Sequence, residues 1–351
     1  MIKDKEVTIY DIANALNISI ATVSRALKND PVVNKKTKKK ITELAEKLGY
    51  RTNQFAKSLR TQKTNTLGVI IPRLNSYFMS TVIAGMESVA NTAGYNLIIS
   101  QSAEKWDKEI ESANTMFNNR VDGLLVSLAY ESKNLDHFNQ FISKKTPLIF
   151  FDRAEDHASF TNIVLDNEKA AYDATHHLIH QGCKSIAHIT ADTPRKIYKQ
   201  RLQGYKRALH DNQLPYNEKM IFHGNLSIES GQDIAQEILK LKNKIDGIFC
   251  ANDSSAVGSM MYLKQHGVKI PQDIAVVGFN NDPISRVMEP NLTTINYPGY
   301  EMGELAANQI INHLRGSHSL EKTKSILLHH DLLIRKSSLK SGKIEIKNQH
   351  D

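Results

Sequence analysis

From residue 66 onward, short runs of Val, Ile and Leu alternate with longer amphipathic stretches, and this alternation leaves few folds open to the chain. Runs at 67–71, 96–100, 123–127, 148–152, 163–165, 185–190, 247–251 and 274–278 have the length and β-branched content of strands. Between them, 78–93, 169–180, 227–242 and 255–266 carry apolar residues at helical spacing. Such repetition with apolar strands calls for parallel sheets covered by helices on both faces. Val121-Asp122-Gly123-Leu124-Leu125-Val126 and Ile245-Asp246-Gly247-Ile248-Phe249-Cys250 read as equivalent elements of two similar halves. The expected body is therefore two doubly wound subdomains, with a cleft where ligands bind outside the strand carboxyl ends.

The first 62 residues are different. They hold 13 Lys and Arg against 6 Asp and Glu, a net +7 out of +8 for all 351 residues. A small basic segment on a nearly neutral body is the footprint of a nucleic-acid module, although charge alone would also fit a solvated tail. The pattern inside it favours the module. Thr8 and Asp11 make a capping-box-like start before Ile12, Ala13 and Leu16, and Ser19 is placed to cap a second helix with Val23, Ala26 and Leu27 inward. Asn29-Asp30-Pro31 is a turn, and a third helix follows from about Lys35 to Leu48, with Gly49 as its stop. Three short helices with a tight turn between the first two make a helix-turn-helix domain. Its second helix points Ile20, Ala21, Ser24, Arg25 and Lys28 outward, and Arg25 can take guanine O6 and N7 bidentately. Ile20 fits either a thymine methyl or a place under the following turn.

The run Thr8-Ile9-Tyr10-Asp11-Ile12-Ala13 … Ala21-Thr22-Val23-Ser24-Arg25-Ala26-Leu27-Lys28-Asn29 resembles the head-piece of the LacI/GalR (lactose repressor) family of bacterial transcription regulators. The resemblance implies Ile20, Ala21 and Arg25 as base-reading residues, and Thr8, Tyr10, Thr22, Ser24, Asn29, Asn34 and Thr37 as phosphate contacts. It continues to about residue 338 through Arg120-Val121-Asp122-Gly123, Phe151-Asp152-Arg153, Gln200-Arg201-Leu202-Gln203-Gly204-Tyr205, Ala251-Asn252-Asp253 and Val277-Gly278-Phe279. The fold implied is an all-α three-helix helix-turn-helix head (1–50) and a short hinge helix with its linker (51–65). An α/β periplasmic-binding-protein-like core of two doubly wound parallel-sheet subdomains follows (66–338). The first subdomain should hold about 66–164 and 296–324, the second about 165–295 and 325–338, with crossings near residues 164, 295 and 325. The polar tail 339–351 lacks apolar heptads and so argues against a tetramerising coiled coil.

At the hinge, two turns of helix are marginal alone. The resemblance implies that they form when two chains meet over the operator centre. Leu59 would then be the minor-groove wedge, with Asn53, Ala56 and Lys57 around it. The implied partners are double-stranded operator DNA, a second copy of the chain in a homodimer, and a small effector. Effector positions carried over from the family are Tyr77, Phe78, Asp152, Arg153, Arg201, Asn252 and Asn280, and Arg195 joins them on its own charge. Aromatic faces with carboxylate, amide and guanidinium groups suit a sugar. Many relatives have an acid where this chain has Asn280, and Arg195, Lys196, Lys199 and Arg201 crowd four cations into seven residues. The expectation that follows is a sugar acid or sugar phosphate, with a neutral saccharide as the close second. A non-sugar effector such as a purine is a further alternative.

Other classes fare worse. The chain has no Gly-x-Gly-x-x-Gly, no phosphate loop and no Gly-x-Ser-x-Gly elbow, so it is not expected to be an enzyme. His176 and His180 have metal-binding spacing, but a packed and solvated helix accounts for them, and His329-His330 in a strand would point to opposite faces. No cofactor and no metal is expected. No signal-peptide core or membrane-length apolar run is present, and two cysteines make no disulfide framework. The reading is a cytoplasmic regulator with no membrane partner rather than a transporter's solute-binding protein.

Overall fold

In the computed structural model of the chain, the described residues are 7–50, 63–155, 160–191, 195–241, 244–317, 319–320 and 324–340. The hinge positions Asn53, Ala56, Lys57 and Leu59 lie outside them. The chain divides into two compact units between Thr64 and Asn65.

The first unit has helices Ile9–Leu16, Ile20–Leu27 and Lys35–Lys47. The Asp11 carboxylate accepts from the Thr8 amide (2.7 Å) and hydroxyl (2.6 Å). Asn17 ends the first helix in the left-handed region (φ 49°), the Ser19 hydroxyl accepts the Thr22 amide at 3.1 Å, and Asn34 Oδ1 accepts the Thr37 amide at 2.8 Å. Ile12, Ala13, Val23, Ala26, Val33, Ile41 and Ala45 form the core. Leu48, read as the last residue of the third helix, is its C-cap and is exposed.

The second unit holds two six-stranded sheets. The first runs β11-β5-β4-β3-β1-β2 and is parallel throughout: β1 Thr66–Ile71, β2 Asn96–Gln101, β3 Gly123–Val126, β4 Leu148–Phe151, β5 Thr161–Leu165 and β11 Ser325–Leu328. The second runs β12-β10-β9-β8-β6-β7: β6 Ile186–Ala191, β7 Ile221–Gly224, β8 Gly247–Cys250, β9 Ala275–Asn280, β10 Thr293–Asn296 and β12 Asp331–Leu333. Only β12 is antiparallel to its neighbour, with Ile295 opposite Leu332. β3 and β8 are fully buried, as their unbroken apolar runs require.

The chain passes from one sheet to the other after Leu165, after Asn296 and between Leu328 and Asp331. The third passage lies beyond the expected residue 325, because β11 completes the first sheet against β5, with Ser325 opposite Asn162. His329 and His330 sit in this passage and in no strand, and His330 Nε2 is 2.9 Å from the Asp173 carboxylate. Helix Tyr77–Thr92 crosses helix Gly299–Leu314 at two glycines. A Cβ on Gly85 would fall 2.1 Å from the Tyr300 carbonyl oxygen, and one on Gly303 would fall 1.9 Å from that of Val82. No helix among the described residues is long and apolar enough to cross a membrane.

Candidate effector cleft and DNA-facing helix

The carboxyl ends of both sheets open onto one cavity of about 600 Å³, a size suited to a small-molecule ligand. After β1 come Arg73 and the start of the Tyr77–Thr92 helix; after β2 comes Glu104, after β3 Tyr130, and after β4 Asp152 and Arg153. The second sheet contributes Tyr198 and Arg201 from helix Lys196–Asp211, Asn252 after β8, and Asn280 and Asp282 at the end of β9.

The charges here are largely matched. Asp152, in the left-handed region (φ 57°), is buried and accepts from the Tyr297 hydroxyl at 3.0 Å and the Ser127 hydroxyl at 3.3 Å. Burial pushes its carboxyl above the usual range against the pull of Arg153 and Arg201. Arg153 donates to Glu104 Oε2 at 2.7 Å and lies 4.0 Å over the Tyr130 ring. Glu104 Oε1 is 3.4 Å from Arg73 Nε, and Glu104 Oε2 also accepts the Tyr130 amide at 3.0 Å. Ala103 (φ 49°) and Glu104 (φ 66°) are consecutive non-glycine residues in the left-handed region, each costing roughly 1–3 kcal/mol. Arg201 donates to Asn167 Oδ1 (2.9 Å) and the Ala251 carbonyl (2.7 Å) and stacks 3.6 Å over Phe279. In all, three guanidinium groups (Arg73, Arg153, Arg201) share the lining with four carboxyl groups (Glu104, Asp152, Glu229, Asp282).

Of the expected effector residues, Tyr77, Phe78, Asp152, Arg153, Arg201, Asn252 and Asn280 line this cavity. Tyr77 is half exposed, whereas Phe78 is buried and stacks on Tyr297 at 4.2 Å. The Asn252 side chain also serves the fold: its Oδ1 accepts the Ser255 amide at 3.0 Å and its Nδ2 donates to the Leu226 carbonyl at 2.8 Å. Arg195 is a correction. It is buried away from the lining, donates to the Ser132 carbonyl and pairs with Glu155 at 3.3 Å. Lys199 is exposed, and neither it nor Lys196 lines the cavity, so of the four crowded cations only Arg201 reaches it. Arg195 precedes the helix as its N-cap, and Lys196 and Lys199, one turn apart, lie on a different face from Arg201.

The sequence reading missed Glu104, Tyr130, Tyr198, Asp282 and Tyr297. Asp282, two residues past Asn280, restores an acid that Asn280 was read as removing. Burial pushes its carboxyl up to about 6, opposed by a hydrogen bond from Asn280. Burial pushes Asp253 further, to about 8, against the 2.6 Å bond it accepts from the Thr294 hydroxyl; it also accepts the Asp282 amide at 2.7 Å. No group of three or more His, Cys, Asp or Glu among the described residues is placed to hold a metal. The His176 and His180 rings lie side by side at 6.4 Å, and the intervening His177 is buried against the Ser338 hydroxyl at 2.7 Å. Burial raises both cysteine thiols, Cys183 to about 11, which leaves them protonated and poor nucleophiles at neutral pH.

On the head, Ile20, Ala21 and Arg25 share the exposed side of the second helix. Ile20 is 41% exposed, so it does not tuck under the following turn. Thr8, Tyr10, Asn29 and Asn34 are exposed, and Thr22, Ser24 and Thr37 half-buried. Lys38 Nζ donates to the Asn29 carbonyl (3.0 Å) and side-chain oxygen (2.9 Å), tying the turn to the third helix.

Residues 8–53 match the model of the bacterial regulatory proteins of the lacI family, and residues 64–336 match that of the periplasmic binding proteins and sugar binding domain of the LacI family. The chain belongs to the LacI family of transcription regulators. Its similar relatives include catabolite control protein A of Priestia megaterium, 33% identical over 88% of this chain and 92% of that one. The HTH-type transcriptional regulator RegA of Clostridium acetobutylicum is 36% identical over 87% and 91%. Among solved structures, the Lac repressor dimer bound to operator and the anti-inducer ONPF aligns with a TM-score of 0.85 at 24% identity, covering 95% of this chain and all of that one. The transcriptional regulator CelR–cellobiose complex aligns at 0.72 and 22% identity, with the same coverage. At these identities the structures share the fold. This LacI-family regulator thus joins a DNA-binding head to a core whose cleft is built for a small molecule.

Proposed function

We propose that this regulator represses genes of carbohydrate uptake or catabolism as a cytoplasmic homodimer on a pseudo-palindromic operator, with an uncharged saccharide as its effector. In this reading Ile20, Ala21 and Arg25 meet base edges, and Thr8, Tyr10, Thr22, Ser24, Asn29, Asn34 and Thr37 meet phosphates. Asn53, Ala56, Lys57 and Leu59 form the hinge in the minor groove. Saccharide in the cleft changes how the two subdomains face each other, and with it whether paired hinges can form. The two sites then share a coupling free energy, typically about 1–3 kcal/mol.

The observation that carries the ligand class is the matched charge of the cavity. Its guanidinium groups already face Glu104 and Asp152 or are spent on Asn167 and Ala251, and Tyr77 offers an aromatic face. Hydroxyl groups suit such a mosaic of donors and acceptors, whereas an anion would meet four carboxyl groups. That a fold neighbour is described as a cellobiose complex supports the same direction. The test is a thermal-shift screen of the full chain against neutral sugars, sugar acids, sugar phosphates and purines. A ligand at 100 times its dissociation constant adds roughly 2.7 kcal/mol. Stabilisation by a neutral sugar is the expected result, and stabilisation confined to sugar acids, sugar phosphates or purines overturns the reading.

A further inference from the structure

We infer that Glu104 is a specificity-determining residue of the cleft: its carboxylate neutralises Arg153 and Arg73 and thereby closes the cavity to phosphate-bearing ligands. The inference rests on the reading of the cavity as a saccharide site and names the residue that keeps it so.

Three observations support it. Glu104 bridges two guanidinium groups, at 2.7 Å to Arg153 Nη1 and 3.4 Å to Arg73 Nε, and all three side chains line the same cavity. Its position is built: Ala103 and Glu104 both hold left-handed backbone, the Tyr130 amide donates to the Glu104 carboxylate, and the Glu131 amide donates to the Glu104 carbonyl at 3.3 Å. The pairing is also buried unequally. Arg73 is 55% exposed in its side chain, whereas Glu104 is 9% and Arg153 12% exposed. Without the carboxylate, the cavity would present two adjacent guanidinium groups, a deep one with Asp152 at 4.0 Å and a second at the mouth, an arrangement that binds phosphate oxygens. With it, an arriving phosphate meets a fixed, poorly solvated negative charge.

The test uses the full chain and inorganic phosphate, read by thermal shift at constant ionic strength. The unaltered chain should show no saturable stabilisation. Glu104→Gln should gain it, with phosphate affinity raised at least about tenfold, and adding Arg153→Met should abolish the gain. Saturable phosphate binding by the unaltered chain as strong as that by Glu104→Gln, or no gain in the variant, overturns the assignment. Should Glu104→Gln fail to fold, Glu104→Ser removes the same charge with a smaller side chain and carries the same expectation; absence of any gain there is equally decisive. Saccharide binding is scored separately. A phosphate gain in a protein that binds no neutral sugar upholds Glu104 and removes the saccharide reading, and the converse result does the reverse.

Discussion

The hydroxyls of Tyr130 and Tyr198 meet at 2.6 Å, one carried on the loop after β3 of the first sheet and the other on the helix after β6 of the second. The bond joins the subdomains beside the cavity, and Arg153 lies 4.0 Å over the Tyr130 ring. Tyr130→Phe and Tyr198→Phe should each destabilise the ligand-free core by about 1 kcal/mol. Because each removes the same bond, the double variant should cost less than the sum. A double-mutant cycle by urea unfolding measures this, and strict additivity would show that the bond carries no energy.

The helix crossing at Gly85 and Gly303 leaves no room for a side chain. Gly303→Ala places a methyl group 1.9 Å from the Val82 carbonyl oxygen, so the Tyr77–Thr92 and Gly299–Leu314 helices must separate. Overpacking of this kind costs about 1–3 kcal/mol, read as a fall in melting temperature. The exposed Gly49 and Gly94 turns have no neighbour within 4 Å, and an alanine there is opposed by positive φ alone.

Stability should fall as pH rises from about 6.5 to about 8. Asp253, held at about 8 in the folded chain and near 3.8 when unfolded, keeps a proton that the unfolded chain has released. The folded state therefore binds more protons in this window, which makes the slope negative, at up to about 1.4 kcal/mol per pH unit. Below 6.5 the trend is opposed by His177 and His188, both depressed by burial to about 4, since the unfolded chain then takes up the protons they refuse. Asp253→Asn should flatten the upper window, as checked by denaturant midpoints at pH 6.5 and 8.

On operator DNA, Arg25→Ala should cost about 1–3 kcal/mol and relax preference at one base pair in each half-site. Lys36→Ala, at an exposed position in the first turn of the Lys35–Lys47 helix, should instead weaken binding across all sequences and reduce the salt slope by about 1. Titrations on operator and scrambled duplexes at two salt concentrations separate the two. Leu59→Ala should weaken operator binding while leaving the head-piece fold intact.

Much of the fold was legible because long β-branched runs and capped amphipathic helices carry their own signals. β1, β3, β6 and β8 lie within a residue or two of their expected bounds. β7, β10, β11 and β12 were not legible, since strands of three or four residues, three of them at sheet edges, are defined by their neighbours more than by their own residues. The cleft was legible at the family's motif positions and illegible where backbone angle decides. Glu104 reads in sequence as one more charged loop residue, and only the left-handed turn aims it at Arg153. Arg195 failed in the opposite way, because proximity along the chain suggested a place beside Arg201, whereas Arg195 stands at the N-cap of that helix and turns to Ser132 and Glu155.

The last passage between the sheets has a consequence for how a signal can leave this molecule. Only His329 and His330 separate β11 from β12, a reach of roughly 11 Å even fully extended. So short a tether lets the two halves turn about it and forbids them to part. On the proposed reading, ligand in the cleft is then reported as a change of angle and not of separation. A pair of spectroscopic labels set astride that tether would stay nearly silent, while a pair set at the cleft mouth, on the long arm of the same lever, would move.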